Sequence, residues 1–241
     1  MNNQNIQDVS KSLSELTAER ILDHIVHQGY KAGDKLDNEK TLCSVLDVGR
    51  STLREAVRML ASRNILSVKH GSGIYISEKL GMADDPLGFT FIENKSKLVR
   101  DLIDFRRMIE PLIAMLAANN ATASQIDELF EIEDKIEELI KSGNTHALMD
   151  AAFHSKIGEM SGNLVMPKIG PIINNAIDLF IDVTGSVLRD ETISDHREIL
   201  EAIKNRDPVR ASDAMLLHII HNRAVIEGFL RAEEQKAAEG K

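Results

Sequence analysis

The sequence predicts a mainly α-helical chain of two domains. Three short helices and a small β-hairpin come first, and an all-helical bundle of six or seven helices follows. Apolar residues recur at helical spacing through most of the chain, whereas β-branched runs around glycines lie at residues 65–77. Residues 78–94 carry glycines and a proline that interrupt the helical pattern. We therefore expect domains at residues 10–77 and 95–232, joined by a linker at 78–94.

The N-terminal elements follow from local patterns taken in order. Residues 14–29 place apolar side chains at helical spacing and end at a glycine, which predicts the first helix. Two more short amphipathic helices are predicted at 39–47 and 50–62, separated by the turn-permissive pair Val48-Gly49. A short helix, a tight turn and a second helix make a helix-turn-helix, and the hairpin at 65–77 would be its wing.

The C-terminal region is helical in pattern from about residue 96 onward. Thr122 and Gln125 have the spacing of a capping box ahead of a helix that extends to about Lys141. Asp207-Pro208 supplies a capping acid and a first-turn proline for the last helix. Residues 233–241 have no apolar face, so we expect a disordered tail there.

Bulk composition sets further limits on the class of protein. The 241 residues are 43% hydrophobic, enough to bury a core in each of two domains. A single cysteine, Cys43, excludes an intrachain disulfide framework. We find neither a signal-peptide pattern nor an apolar run long enough to cross a bilayer. The expectation is a cytoplasmic protein with no membrane partner.

The charge is unevenly distributed along the chain. The formal net charge is −9, which by itself argues against a nucleic-acid partner. Residues 1–77, however, carry ten Lys and Arg against nine Asp and Glu, and residues 40–77 carry six against two. The positive charge is therefore concentrated in the predicted helix-turn-helix and wing, as a DNA-binding segment requires.

The predicted second helix of the helix-turn-helix has two distinct faces. An apolar stripe would pack inward, while basic and hydroxyl side chains lie on or beside the opposite face and could reach phosphates or base edges. The inward set is Leu53, Ala56, Val57 and Leu60, and the outward set is Arg50, Ser51, Arg54 and Arg58. The alternative is a solvated basic face on an ordinary helix pair.

Residues 20–77 resemble the winged helix of the GntR superfamily of bacterial regulators. The stretch from Gly33 to Glu39 resembles its P-G-x-x-L-P-x-E motif, and the stretch from Arg50 to Val57 resembles R-x-T-[VL]-R-E-A-[LV]. His70-Gly71-x-Gly73 matches its wing. Two positions depart from the pattern: Asp37 replaces a proline, which we expect to loosen the loop, and Gly49 replaces a capping hydroxyl residue, at a cost of about 1 kcal/mol or less.

The resemblance implies specific DNA contacts. Arg50 and Arg54 would enter the major groove, and His70 and Gly71 would reach the minor groove. Contacts to the DNA backbone are implied for Lys40, Ser51 and Thr52.

Four residues of the C-terminal region are candidate metal ligands. Asp150 and His154 are spaced i, i+4, so they share one helical face, and His196 and His218 lie on helices with an apolar side. Three imidazoles and a carboxylate around one interior would suit a divalent ion, with zinc or nickel as the best candidates. For each histidine the alternative is a satisfied core or surface residue. His24, His27 and His146 support only that alternative.

Residues 97–229 resemble the helical ligand-binding domain of the FadR-like branch of the same superfamily, known as FCD. The similarity lies in Asp104-x-Arg106-x-x-Ile109-Glu110, Asp150-x-x-x-His154, Ser161-Gly162-Asn163, His196-x-x-Ile199 and Met215-x-x-His218. All four metal positions of the family are filled. By resemblance this set argues against a fatty-acyl-CoA effector and implies a metal with open positions for a small carboxylate: a sugar acid, a hydroxy acid or a dicarboxylate.

Two further residues are candidate effector contacts with alternatives left open. Arg106 could pair with a carboxylate bidentately, or it could form a structural ion pair with Glu110 or Asp104. Asn163 could be a pocket donor, or it could belong to the turn after Gly162, which we favour.

The sequence thus supports a homodimeric repressor that binds a palindromic double-stranded operator and responds to an effector. One alternative is a DNA-binding regulator whose metal is purely structural. Another is a zinc hydrolase, which fares poorly because the chain has no H-E-x-x-H pattern and no nucleophile elbow. We therefore do not expect an enzyme.

Overall fold

The structure is a computed structural model, and we describe residues 11–83, 85–173 and 190–239. These residues form two compact units that divide between Pro86 and Leu87. The division falls inside the predicted linker, which also contains a short 3₁₀ turn at Phe89–Phe91. No helix among these residues is long and apolar enough to cross a membrane.

The first unit contains three helices and a hairpin, confirming the predicted winged helix-turn-helix. The helices are α1 (Leu13–Gln28), α2 (Glu39–Leu46) and α3 (Arg50–Ser62), and the strands are β1 (Leu66–Lys69) and β2 (Gly73–Ile76). The strands are antiparallel, with Leu66 opposite Ile76 and Lys69 opposite Gly73. Leucine and isoleucine side chains from all five elements share one buried core.

Local signals explain where these three helices begin. Ser12 caps α1 through a reciprocal capping box with Glu15, and the Asn38 side chain accepts from the first turn of α2. Gly49 caps α3 without any side-chain hydrogen bond, as its replacement of a hydroxyl residue predicts.

Asp37, the other departure from the motif, links its loop to α1. Its carboxylate lies 3.2 Å from Nε2 of His24. The same interaction gives His24 a local partner, in line with the structural interpretation of that histidine.

The second unit is a helical bundle, also as predicted. Six helices lie in its described part. They are α4 (Lys95–Asn120), α5 (Ala123–Lys141), α6 (Ala147–Met160), α7 (described over 166–173), α8 (Asp190–Lys204) and α9 (Pro208–Glu239). The Thr122–Gln125 capping box begins α5, and α9 begins at the predicted proline. Antiparallel α4 and α9 are tied by ion pairs from Arg100 to Glu227 and Glu234.

The prediction of a disordered tail at 233–241 is wrong for residues 233–239, which continue α9. This segment is rich in Ala, Glu, Gln and Lys, which are strong helix formers and need no apolar face to extend an existing helix. The ion pair of Glu234 with Arg100 also holds it to α4. Residues 240–241 lie outside the described residues.

Candidate DNA-contacting face and metal centre

The exposed face of α3 is a row of guanidinium groups. Arg50, Arg54 and Arg58 are spaced i, i+4 and i+8, and all three are exposed, while the predicted inward stripe is buried. Ser51 is also exposed, and Thr52 is partly buried. The face is built as the sequence predicts, because the apolar half of the helix is occupied by the core.

Arg54 is held by a carboxylate from the preceding helix. Its Nε donates to both oxygens of Glu39 at 3.1 and 3.2 Å, and its Nη2 donates to Oε2 at 2.9 Å. This hydrogen bond is the main cause that lowers the pKa of Glu39 and raises that of Arg54. Lys40, the next residue of α2, is exposed.

The loop between β1 and β2 presents His70 and Gly71 to solvent. Gly71 has φ +70°, a backbone conformation that favours glycine, so the sharp loop explains this residue. The ammonium of Lys69 on β1 lies 4.6 Å from the ring centre of Tyr75 on β2, a cation–π contact between the two strands of the wing. DNA contact by the wing and by α3 stays a prediction.

In the second unit, the four candidate metal ligands converge. Ligand atoms of Asp150, His154, His196 and His218 all lie within 4.8 Å of one another, and all three histidines are buried. Helix α6 supplies the first two from one face, α8 supplies His196, and α9 supplies His218. Helical spacing in the sequence predicts proximity only for Asp150 and His154. The structure adds that α6, α8 and α9 bring all four side chains together.

The imidazoles present the same nitrogen to the centre of the cluster. Nε2 of His154 lies 3.2 Å from Nε2 of His218, and Nε2 of His196 lies 3.4 Å from Asp150 Oδ1. Two nitrogens bound to one tetrahedral ion at about 2.0–2.1 Å would be roughly 3.3–3.4 Å apart. The observed separation therefore suits a shared ion.

Each imidazole turns its other nitrogen toward a carboxylate. Nδ1 of His154 lies 2.8 Å from Glu110 Oε2, Nδ1 of His196 lies 2.9 Å from Glu133 Oε2, and Nδ1 of His218 lies 3.7 Å from Asp195 Oδ2. Of these contacts the one between His196 and Glu133 is a hydrogen bond, and a carboxylate bonded in this way fixes the tautomer of a ligating histidine and orients its ring. Phe153 adds a second constraint by stacking on His196 with ring centres 4.1 Å apart.

One buried nitrogen tests whether the residues fit a metal. Within the described part of the chain, no group makes a hydrogen bond to Nε2 of His196, although this side chain is fully buried. Leaving a buried polar atom unpaired costs about 1–3 kcal/mol. A cation bound by this lone pair would remove that cost, so the cluster is compatible with a divalent metal site.

The protonation states favour ligation as well. Burial lowers the pKa of His218 to about 3, so its imidazole is neutral at neutral pH; the amide nitrogen of Asn222 lies 3.0 Å from its Nε2. Burial raises the pKa of Asp150, but the neighbouring histidines outweigh it and the pKa falls to about 2. Neutral imidazole and ionised carboxylate are the forms that bind metals.

The two predicted effector contacts lie in different settings. Arg106 is buried and donates to Glu110 at 2.6 and 3.2 Å, so the ion pair that the sequence left open is present. The side-chain oxygen of Asn163 accepts from the backbone of Val165 and Met166 at 2.8 and 3.2 Å, which is the turn that we favoured. For both residues an effector contact stays a prediction.

Sequence reasoning missed Glu133 and Asp195. Glu133 is completely buried on α5, and burial raises its pKa. It occupies a position within the apolar stripe of Ile126, Leu129, Ile136 and Ile140. An acid inside such a stripe needs a buried partner, and this signal could have identified it.

Comparison with known proteins places both units of the chain in one group. Residues 101–221 match the family model of the FCD domain, and residues 13–76 match that of the bacterial regulatory proteins of the gntR family. A solved structure, Streptococcus agalactiae GntR, is 44% identical with a TM-score of 0.80, and covers 88% of this chain and 99% of its own.

Curated transcriptional regulators match this chain over most of their own length. The HTH-type transcriptional regulator LutR of Bacillus subtilis is 24% identical over 85% of this chain and 97% of its own. The Uxu operon transcriptional regulator of Escherichia coli is 29% identical over 83% and 80%. The HTH-type transcriptional repressor NanR of Citrobacter rodentium is 25% identical over 87% and 83%.

The winged helix with its exposed arginines, the buried His/Asp cluster and these matches lead to the same assignment. The chain belongs to the GntR family of bacterial regulatory proteins, in its FadR-like branch with an FCD domain, and is a DNA-binding transcriptional regulator rather than an enzyme.

Proposed function

We propose that this regulator is a homodimeric repressor whose affinity for a palindromic operator is controlled by a small carboxylate bound at a metal ion. The observation that carries the proposal is the convergence of Asp150, His154, His196 and His218. These four residues would hold the ion, and zinc or nickel suits three nitrogens and one oxygen. The ion, when bound, would supply a positive centre for an anionic ligand.

The ligand set of the cluster supports an anionic effector. Three neutral imidazoles and one carboxylate would leave a divalent ion with one positive charge; Glu110 pairs with Arg106, while Glu133 and Asp195, behind His196 and His218, reduce the positive charge around the site. Arg106 also lowers the pKa of Asp150, so its charge is felt at the centre of the site. We propose that it attracts the effector carboxylate from there, while Asn163 at the start of α7 remains a candidate contact.

Exposed apolar side chains on α4 support the proposal that the chain forms a homodimer. Met108 and Leu112 are one turn apart there, with 63% and 54% of their surface exposed. Apolar residues exposed at helical spacing suit a partner surface. Two-fold symmetry of the protein would match two-fold symmetry of the operator.

The effector site is tested by thermal shift with gluconate, glycolate and succinate on metal-loaded protein. A ligand that binds the native state stabilises it by about 2.7 kcal/mol at a hundred times its Kd, so at least one acid is expected to raise the Tm. The primary amide of the same acid is the matched control and should not stabilise. Equal stabilisation of chelator-stripped protein would contradict a role for the metal.

DNA binding by the arginine face predicts a strong dependence on salt. If a dimer neutralises six or more phosphates, its affinity should fall about 10³-fold or more between about 50 and 200 mM salt. Fluorescence anisotropy with a duplex selected in vitro from a random pool measures this slope. A flat dependence would argue against α3 as the contact surface.

Direct base readout by Arg54 predicts a loss of affinity on substitution. Arg54→Ala should weaken binding to the selected duplex roughly 5- to 150-fold, because a bidentate contact to one base is lost. Arg63→Ala, at the C-terminal end of α3, is the control and should preserve the sequence preference. Unchanged affinity of the Arg54 variant in the same titration would refute this contact.

A further inference from the structure

The contact between Glu39 and Arg54 joins the two helices of the helix-turn-helix. Glu39 is the first residue of α2, and Arg54 lies in the second turn of α3, fifteen residues later. Both side chains are substantially exposed, so the contact contributes little to stability. Three hydrogen bonds nonetheless fix the guanidinium in one orientation.

The geometry of the contact with Glu39 determines which N–H groups of Arg54 remain available to bind DNA. A guanidinium has a side edge formed by Nε and Nη2 and an end edge formed by Nη1 and Nη2. Glu39 occupies the side edge. The end edge still offers two parallel N–H donors, the pattern that matches O6 and N7 of guanine in the major groove.

The surroundings of Glu39 favour a fixed carboxylate. It lies in the first turn of α2, where the partial positive charge of the helix favours an anion, and Asn38 caps the same turn. Arg50 also lowers the pKa of Glu39, so this carboxylate is near both arginines. It thereby offsets the repulsion between two like charges one turn apart on α3.

We infer that Glu39 is a positioning residue for DNA readout: it holds the side edge of Arg54 so that the end edge reads one base pair in each half-site. An arginine held in place loses less side-chain freedom on binding and cannot turn equally well to a phosphate or to a neighbouring base. Glu39 thus contributes sequence preference without touching DNA. The inference rests on the proposed contact between Arg54 and the operator.

The experiment uses the full chain and a duplex enriched by wild-type protein from a random pool. Affinities for this duplex and for its single base-pair substitutions are measured for wild type, Glu39→Gln, Arg54→Ala and the double variant. Glu19→Gln is the matched control, because it removes an acidic side chain on α1 that pairs with Lys11 and not with an arginine of α3. Glu39→Asp keeps the charge but shortens the reach.

We expect Glu39→Gln to reduce discrimination on the order of 5-fold at the same base pair that Arg54→Ala affects, with other positions and the salt slope unchanged. The double variant should match Arg54→Ala, and Glu39→Asp should resemble Glu39→Gln. The control should keep the wild-type preference.

Results against positioning by Glu39 differ from the result that would refute operator binding itself. Tighter binding by Glu39→Gln with unchanged preference would show that Glu39 competes with DNA for Arg54, which overturns the inference. Wild-type preference in Glu39→Gln, or in Glu39→Asp alone, would overturn positioning by geometry. If wild-type protein enriches no sequence, the proposed operator binding fails, and the inference fails with it.

Discussion

Replacing Arg106 by alanine is expected to lower the free energy of unfolding by about 3–5 kcal/mol, because it leaves a buried carboxylate without its cation. Arg106 and Glu110 are only 5% and 8% exposed, and the shorter of their two contacts is 2.6 Å. Burial raises the pKa of Glu110, and Arg106 is the main cause that lowers it again. Urea unfolding of chelator-stripped protein, followed by circular dichroism, measures the loss without a contribution from bound metal.

Two further variants separate this effect from a general loss of surface charge. Arg107→Ala changes the neighbouring, half-exposed arginine and should alter stability by less than about 0.5 kcal/mol. Arg106→Met combined with Glu110→Gln removes both charges and should recover much of the loss. A cost below about 1 kcal/mol for Arg106→Ala would show that Glu110 is not dependent on this partner.

Replacing His196 by alanine is expected to abolish stable metal binding. His196 supplies one of four ligand atoms, and its Nε2 is a buried nitrogen without a hydrogen-bond partner among the described residues. Loss of an outer partner of a metal ligand already costs about 10- to 100-fold in affinity, and loss of the ligand itself should cost more. Elemental analysis after dialysis should show wild-type protein loaded with metal and the variant depleted.

His27→Ala is the matched control, because His27 is exposed at the end of α1 in the other unit. It should retain the wild-type metal content. Both variants should bind the selected duplex like wild type in the absence of metal and effector. Full metal content in His196→Ala would refute the ligand assignment.

The local features of the fold were predictable from the sequence because they depend on neighbouring residues. Turn and capping signals within a few positions predict where α2, α3 and α9 begin, at Glu39, Arg50 and Pro208. The face of α3 follows from the spacing of its leucines and arginines. The seven residues 233–239 were missed because an apolar face was taken as necessary for a helix that only had to be extended.

The metal centre was predictable only in part. Asp150 and His154 are placed together by helical geometry, and resemblance to a family added His196 and His218. The carboxylates behind the imidazoles come from α4, α5 and α8, and which helices face one another depends on packing across long separations. The contact from Glu39 to Arg54 was missed for the same reason.

We propose above all that a small carboxylate changes the operator affinity of this regulator through the bound metal. Fluorescence anisotropy with the selected duplex tests it directly, using metal-loaded and chelator-stripped protein and the acid that gives the largest thermal shift. We predict a change of about 5- to 150-fold in DNA affinity for the loaded protein and none for the stripped protein. An equal change in both preparations, or no change in either, would contradict the claim.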